Sequence, residues 1–188
     1  MNQMVRCAKC FVLMISPGKG VLDGDAPDLQ SPFGNLFTGT NVGIDYTQAP
    51  WSMTAAAAKA AGDRLDDVAY YGHTHDLRSD LTGTQSVSFY AVNAMGGPNG
   101  AALLASASKY GGFEDRDSNN AVNLTGSQTC TYPTGSKLGS GASTSNLEWD
   151  NDQDCVPDTF FDASEGGDLE AQINAAIAAI LKKAASGT

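Results

Sequence analysis

Histidine is almost missing from this sequence, which holds two, and Lys and Arg together number 11 against 21 Asp and Glu. The formal charge of −10, with no basic cluster anywhere, excludes a phosphate-backbone partner, because nucleic-acid affinity comes from gathered Lys and Arg contacts. Long apolar runs are missing too. The run Phe11–Ile15 falls far short of the roughly 20 residues a membrane helix needs. Arg6 and Lys9 precede it, but it is too short for a signal-peptide core and no small-residue cleavage site follows cleanly. The chain is therefore expected to be cytosolic or a piece of a longer exported protein, without membrane insertion.

Cysteine is sparse as well, at four residues, and Cys7 and Cys10 form a C-x-x-C. Haem attachment would need His after Cys10, where Phe11 stands. Zinc would need a second close pair, whereas Cys130 and Cys155 lie far apart. A thioredoxin-like dithiol follows a strand and opens a helix, but this pair precedes a strand. A redox role is thus set against incidental thiols or a local disulfide. Cys130 and Cys155 could instead bridge each other, closing a loop worth on the order of 3 kcal/mol in an oxidising compartment; two unpaired thiols are the plainer alternative.

Against these absences, Asp recurs at every second position in Asp150-Asn151-Asp152-Gln153-Asp154, and Asp158 follows at the ninth loop place. Alternate carboxylates converge on one point, and calcium takes six to eight oxygens at about 2.3–2.6 Å. The expected ligands are the side chains of Asp150, Asp152, Asp154 and Asp158 with the carbonyl of Val156. The sixth place, usually Gly for a sharp turn, is Cys155, and a bridge to Cys130 would help hold that turn. The plainer alternative is a solvated acidic loop. A second, less charged copy runs from Asp115 to Asn123, with Asp115, Asp117, Asn119 and Asn123 as oxygen donors. Asn120 stands at its turn, where the left-handed conformation is tolerated. An Asn-rich turn is the competing explanation.

Around these loops the hydrophobic pattern predicts three strand-then-helix units. They are the buried-type run Phe11–Ile15 with a helix over 54–71, the alternating segment 86–94 with a helix over 99–110, and Thr159–Phe161 with a helix over 168–185. On the helices, Leu65, Val68 and Ala69, then Leu103, Leu104 and Ala107, fall on one face. On the last, Leu169, Ile173, Ala176, Ile177, Ile180, Leu181 and Ala184 form a stripe, with Lys182 and Lys183 favoured by the helix dipole. Alternating strands and helices imply an α/β parallel sheet. Three strands amount to half of a doubly wound domain, carrying a long loop insertion over 111–158.

Two further constellations invite catalytic readings. His73-Thr74-His75-Asp76 could belong to a zinc hydrolase, but no third imidazole exists, so helix-terminal surface His is the alternative. Gly97-Pro98-Asn99-Gly100 lies between a strand and a helix, where a nucleotide-binding turn would sit, yet Met95 occupies the first Gly place of G-x-G-x-x-G. An ordinary turn with Asn99 as cap competes with it.

Four segments together carry a family resemblance: Phe11–Ser16, Asp76-Leu77-Arg78-Ser79-Asp80-Leu81-Thr82-Gly83-Thr84-Gln85-Ser86-Val87, Lys109-Tyr110-Gly111-Gly112-Phe113, and Glu148–Ser164. They resemble the von Willebrand factor A-like domain of PilY-type proteins, the tip-associated assembly proteins and adhesins of type IV pili. The resemblance implies an incomplete von Willebrand A/Rossmann-like sheet, strands four to six of the family domain, with 1–188 forming a single partial domain. It implies no enzymatic activity, and a calcium-binding module at the cell surface, reached through the periplasm, working in pilus assembly, adhesion or surface sensing. Partners would be other pilus proteins or a missing N-terminal half-domain, with a host or surface ligand. The family's D-x-S-x-S motif does not occur here, and Pro17 stands where its T-D-G turn has Asp. Rival expectations are a small redox or nucleotide-binding protein using Cys7 and Cys10 or the Gly97–Gly100 turn, and a subunit that self-assembles through exposed sheet edges.

Overall fold

A computed structural model describes residues 9–17, 65–94, 98–120, 122, 148–152, 154, 156–163 and 168–186. Its elements follow in the order β1 (Cys10–Ser16), α1 (Leu65–Thr74), β2 (Val87–Asn93), α2 (Pro98–Gly112), β3 (Phe160–Asp162) and α3 (Leu169–Ala185). The three strands form one open, all-parallel sheet in the order β1-β2-β3, so the chain has the expected incomplete α/β architecture.

Strand β2 lies in the middle and is buried on both faces from Phe89 to Asn93. The register places Val12 beside Phe89, Met14 beside Ala91, and Ala91 beside Phe160, so these side chains share a face. On that face Phe89, Ala91 and Phe160 pack with Ala69 of α1 and with Ala101, Leu104, Ala105 and Ala107 of α2. Each large apolar side chain fully removed from water there contributes about 1.5–3 kcal/mol. Tyr90 and Val92 point to the other face, where α3 covers β2 and β3.

Three expectations about burial change. The run Phe11–Ile15 is not a buried strand: β1 is an edge of the described sheet, and Val12 and Ile15 are 44% and 47% exposed. The stripe of α3 is only partly used, with Ala176 buried while Ile177 and Leu181 are exposed, because a three-stranded sheet is too narrow to cover it. Val68 turns outward, and the inward face of α1 carries Asp66, which is wholly buried and accepts a hydrogen bond from Ser106 Oγ at 2.7 Å. A buried carboxyl group needs such a partner. Helix α1 also runs to Thr74, past the expected end; residues 54–64 and Leu103, named in the sequence reading, lie outside the described residues and side chains. Helix α3 starts as expected, Asp168 capping it by accepting from the Glu170 N–H at 3.0 Å. Among the described residues no helix is long and apolar enough to cross a membrane.

The last turn of α2 presses against the sheet more closely than a side chain would allow. A Cβ on Gly111 would stand 2.6 Å from Ala69 Cβ and 2.8 Å from Phe89 Cβ; one on Gly112 would meet Thr159 Oγ1 and the Phe89 carbonyl oxygen. The Gly111→Ala variant is therefore expected to lose about 1–3 kcal/mol of stability to overpacking, although alanine is the better helix former. Urea unfolding of the full chain measures it; an unchanged or raised midpoint would show that α2 can shift without cost.

Candidate metal centre

Strands β2 and β3 are entered, and helices α1, α2 and α3 are left, at the amino-terminal edge of the sheet. The loops 113–120 and 148–158 meet there. Glu114 N–H donates to the Glu148 carbonyl at 2.7 Å, and Asp158 N–H to the Trp149 carbonyl at 2.9 Å, so the segment Glu148-Trp149-Asp150 is tied on both sides. Trp149 sinks into a cluster with Tyr110, Phe113 and Val122. Its neighbours Glu148 and Asp150 are drawn in with it, at 4% and 0% exposure.

Two acidic clusters result. In one, carboxylate oxygens of Asp150, Asp152 and Asp154 lie within 4.8 Å of one another; in the other, those of Asp115, Asp117 and Glu148 do. Each could hold a metal ion, and oxygen-only donors suit a hard cation.

The first cluster contains three of the expected ligands. Asp150 Oδ1 accepts the Asp154 N–H at 2.9 Å, and Asp154 Oδ1 accepts the Val156 N–H at 2.7 Å, so the chain folds tightly around its own carboxylates. Val156 packs its side chain against the core. Asp158 stays outside the triplet: its two carboxylate oxygens receive the Asn151 N–H at 3.2 and 3.1 Å. Although Asp158 as a residue is exposed, burial of its carboxyl group pushes its pKa up to about 6. The Asn151 N–H opposes that shift, and the charges of Asp152, Asp150 and Glu114 add to it. Burial, with the charge of Asp152 adding, likewise raises Asp154 against the pull of the Val156 N–H.

The second cluster differs from expectation in its third member. Asp115 accepts the N–H groups of Asn119 and Asn120 at 3.0 and 2.9 Å, and Asp117 accepts from Asn119 N–H and Nδ2 at 3.1 and 2.8 Å. Asn119 thus acts as a donor to the carboxylates, and the added oxygen comes from Glu148, 33 positions beyond Asp115 in the chain. No local spacing could announce that residue. Asn120 does take the left-handed conformation, at φ 58°, as does Ser118 at φ 60°, and its Nδ2 donates to the Thr74 carbonyl at 2.8 Å. Asn123 lies outside the described residues.

Basic groups face both clusters. Arg116 donates its N–H to Glu148 Oε1 at 3.2 Å and its Nη2 to Asn151 Oδ1 at 2.8 Å, crossing from one loop to the other. Lys109 stands over the Trp149 ring, 4.4 Å from its centroid, and burial pulls its pKa down to about 8 against the opposing charge of Asp150.

The other sequence candidates are used differently. His73 packs edge-on to Phe113 at 4.5 Å with Nδ1 3.1 Å from the Val87 carbonyl, and burial lowers its pKa. His75 stacks on Tyr71 at 4.1 Å. Asp76 Oδ1 accepts from the N–H groups of Arg78 and Gln85, closing loop 76–85 on itself. Among the described residues neither His belongs to a metal-capable cluster. Cys10 is an exposed free thiol opening β1. Cys7, Cys130, Cys155 and Gly97 lie outside the described residues.

No protein-family model, curated protein or solved structure matches this chain.

Because the folded-state pKa of Asp158 is raised, its protonation stabilises the fold at low pH, and that contribution is lost as pH rises through about 6. In chelator, the denaturation midpoint of the wild-type chain is expected to fall between pH 4.5 and 7 by more than that of Asp158→Asn. Equal pH dependence of the two would show that Asp158 is not the responsible group.

Proposed function

We propose that this chain is a calcium-binding structural or adhesion module of a type IV pilus-associated, PilY-type protein, acting at the cell surface in pilus assembly, adhesion or surface sensing. The observation that carries the metal reading is the convergence of Asp150, Asp152 and Asp154 within 4.8 Å, around a wholly buried Asp150. Three carboxylates so close repel one another unless a cation or protons intervene. Calcium suits the irregular, turn-borne donor set better than magnesium, which demands near-ideal octahedral geometry. Asp158 at the ninth place would join through a bound water, and the Val156 carbonyl would fill the seventh.

The position of the clusters supports a structural role over a catalytic one. Open α/β sheets bind their reactants at the carboxyl ends of the strands, whereas both clusters sit at the opposite edge. There a bound ion would fix loops 113–120 and 148–158 to each other and to α2. The pilus assignment rests on the resemblance of Asp76–Val87 and Glu148–Ser164 to the family segments. Partner docking through β1 is favoured by Val12 and Ile15, exposed on opposite faces of an edge strand, where a pilus protein or the other half of such a domain would add strands.

Calorimetric titration of the full chain with calcium chloride is expected to show binding in the micromolar to millimolar range, weakened at least about tenfold in Asp152→Ala. No heat up to millimolar calcium, or binding indifferent to Asp152, would overturn the metal reading.

A further inference from the structure

At the carboxyl edge of the sheet the three parallel strands end side by side on polar residues: Ser16 of β1 pairs with Asn93 of β2, and Asn93 with Asp162 of β3. Two residues earlier the same face carries Met14, Ala91 and Phe160, so the change from apolar to polar falls at the strand ends. Asn93 is wholly buried, at 0% exposure. Its Nδ2 donates to Asp162 Oδ1 at 3.0 Å, and a bond to a carboxylate fixes which corner of the amide is nitrogen and which is oxygen. Among the described residues no donor reaches the buried Asn93 Oδ1. The backbone around it is not frayed: Ala94 N–H donates to the Ser16 carbonyl at 2.8 Å and Ala163 N–H to the Asn93 carbonyl at 2.9 Å. A buried acceptor left without a donor costs more than a made bond gains, so an orphan inside an otherwise complete ladder calls for a partner.

We propose that this edge is a second binding site, in which Asn93 Oδ1 and the Asp162 carboxylate receive a primary ammonium group. The site lies at the opposite edge from the acidic loops and does not depend on the calcium reading. Open α/β sheets bind their ligands outside the carboxyl ends of the strands. The Asn93–Asp162 pair offers acceptors, because the amide donor is spent on Asp162 and a carboxylate has no donor of its own. A ligand there must bring donors and, beside a carboxylate, positive charge. An alkylammonium brings both, with three N–H donors and no acceptor, and its bonds to the pair are charge-assisted. Calcium is a poorer match: it takes about six to eight oxygens, and among the described residues Asp162 belongs to neither metal-capable cluster. Asp162 is partly exposed, so the ammonium enters beside it and meets Asn93 behind. Such a group comes either on a free alkylamine or on a lysine side chain of a partner protein.

The test is NMR titration of the isotope-labelled full chain with 1,5-diaminopentane and with Nα-acetyl-lysine amide, following the Asn93 side-chain amide and the Ala163 N–H. Both compounds are expected to shift these signals and to saturate in roughly the millimolar range, and Asp162→Asn, which keeps the shape and removes the charge, is expected to weaken binding at least about tenfold. Asn93→Leu, read at Ala163, is expected to lose binding as well, and it serves alone if Asp162→Asn does not fold. Nα,Nε-diacetyl-lysine amide, which has no ammonium, is expected to leave the signals in place. Tighter binding of the lysine derivative assigns the site to a partner's lysine, and tighter binding of the diamine to free amines; either result supports the ammonium site. Absence of a shift with both amines overturns the proposal and leaves a water to satisfy Asn93. Equal binding of the diacetyl compound, or an affinity unchanged in Asp162→Asn or Asn93→Leu, overturns it too.

Discussion

Ser108 and Thr159 exchange hydrogen bonds across 51 positions of sequence: Thr159 Oγ1 donates to the Ser108 carbonyl at 3.1 Å, and Ser108 Oγ to the Thr159 carbonyl at 3.3 Å. The same Thr159 carbonyl accepts the Ala91 N–H, so the end of α2, the entrance to β3 and the centre of β2 share one knot. All of it is buried, where an unpartnered hydroxyl or carbonyl costs far more than a made bond gains. The approach depends on Gly111 and Gly112, which leave no Cβ between helix and sheet. Once α2 ends there, the loop that follows it and the loop that precedes β3 must lie side by side, and their carboxylates meet.

That placement gives the acidic loops their electrostatic character. Trp149 is pulled into the core by its apolar contacts and carries Glu148 and Asp150 out of water on either side. Buried carboxylates demand compensation, and it arrives from backbone N–H groups, from Arg116 and from Lys109. Beside them, burial of the carboxyl groups raises Asp154 and Asp158 against the pull of the N–H groups they accept. Protons or a hard cation would balance the charge that remains. Both clusters lie away from the carboxyl ends of the strands, where open α/β sheets place their reactants.

The strand-helix order could be read from hydrophobic spacing, and α3 could be placed almost to the residue because a long apolar stripe marks it. The alternate acids at 150–154 were equally legible, since their spacing is local. What local spacing cannot show is partnership across the chain. Glu148 joins Asp115 and Asp117 only because α2 stops at Gly112, and Lys109 meets the Trp149 ring only because the loop before β3 folds back onto α2. Burial was the least legible property: the apolar runs of β1 and α3 would be core in a wider sheet, but three strands cover only part of them. His73 and His75, chemically suggestive in sequence, turn out to be packing and capping groups at the end of α1.

The central claim is that the amino-terminal edge of the sheet is a cation site built from Asp150, Asp152 and Asp154. Anomalous diffraction from crystals of the full chain grown with terbium chloride tests it most directly. The account predicts a peak within coordination distance of these three carboxylates, with Trp149 still packed against Lys109. A peak confined to the carboxyl edge near Asn93, or none on the protein, would contradict it.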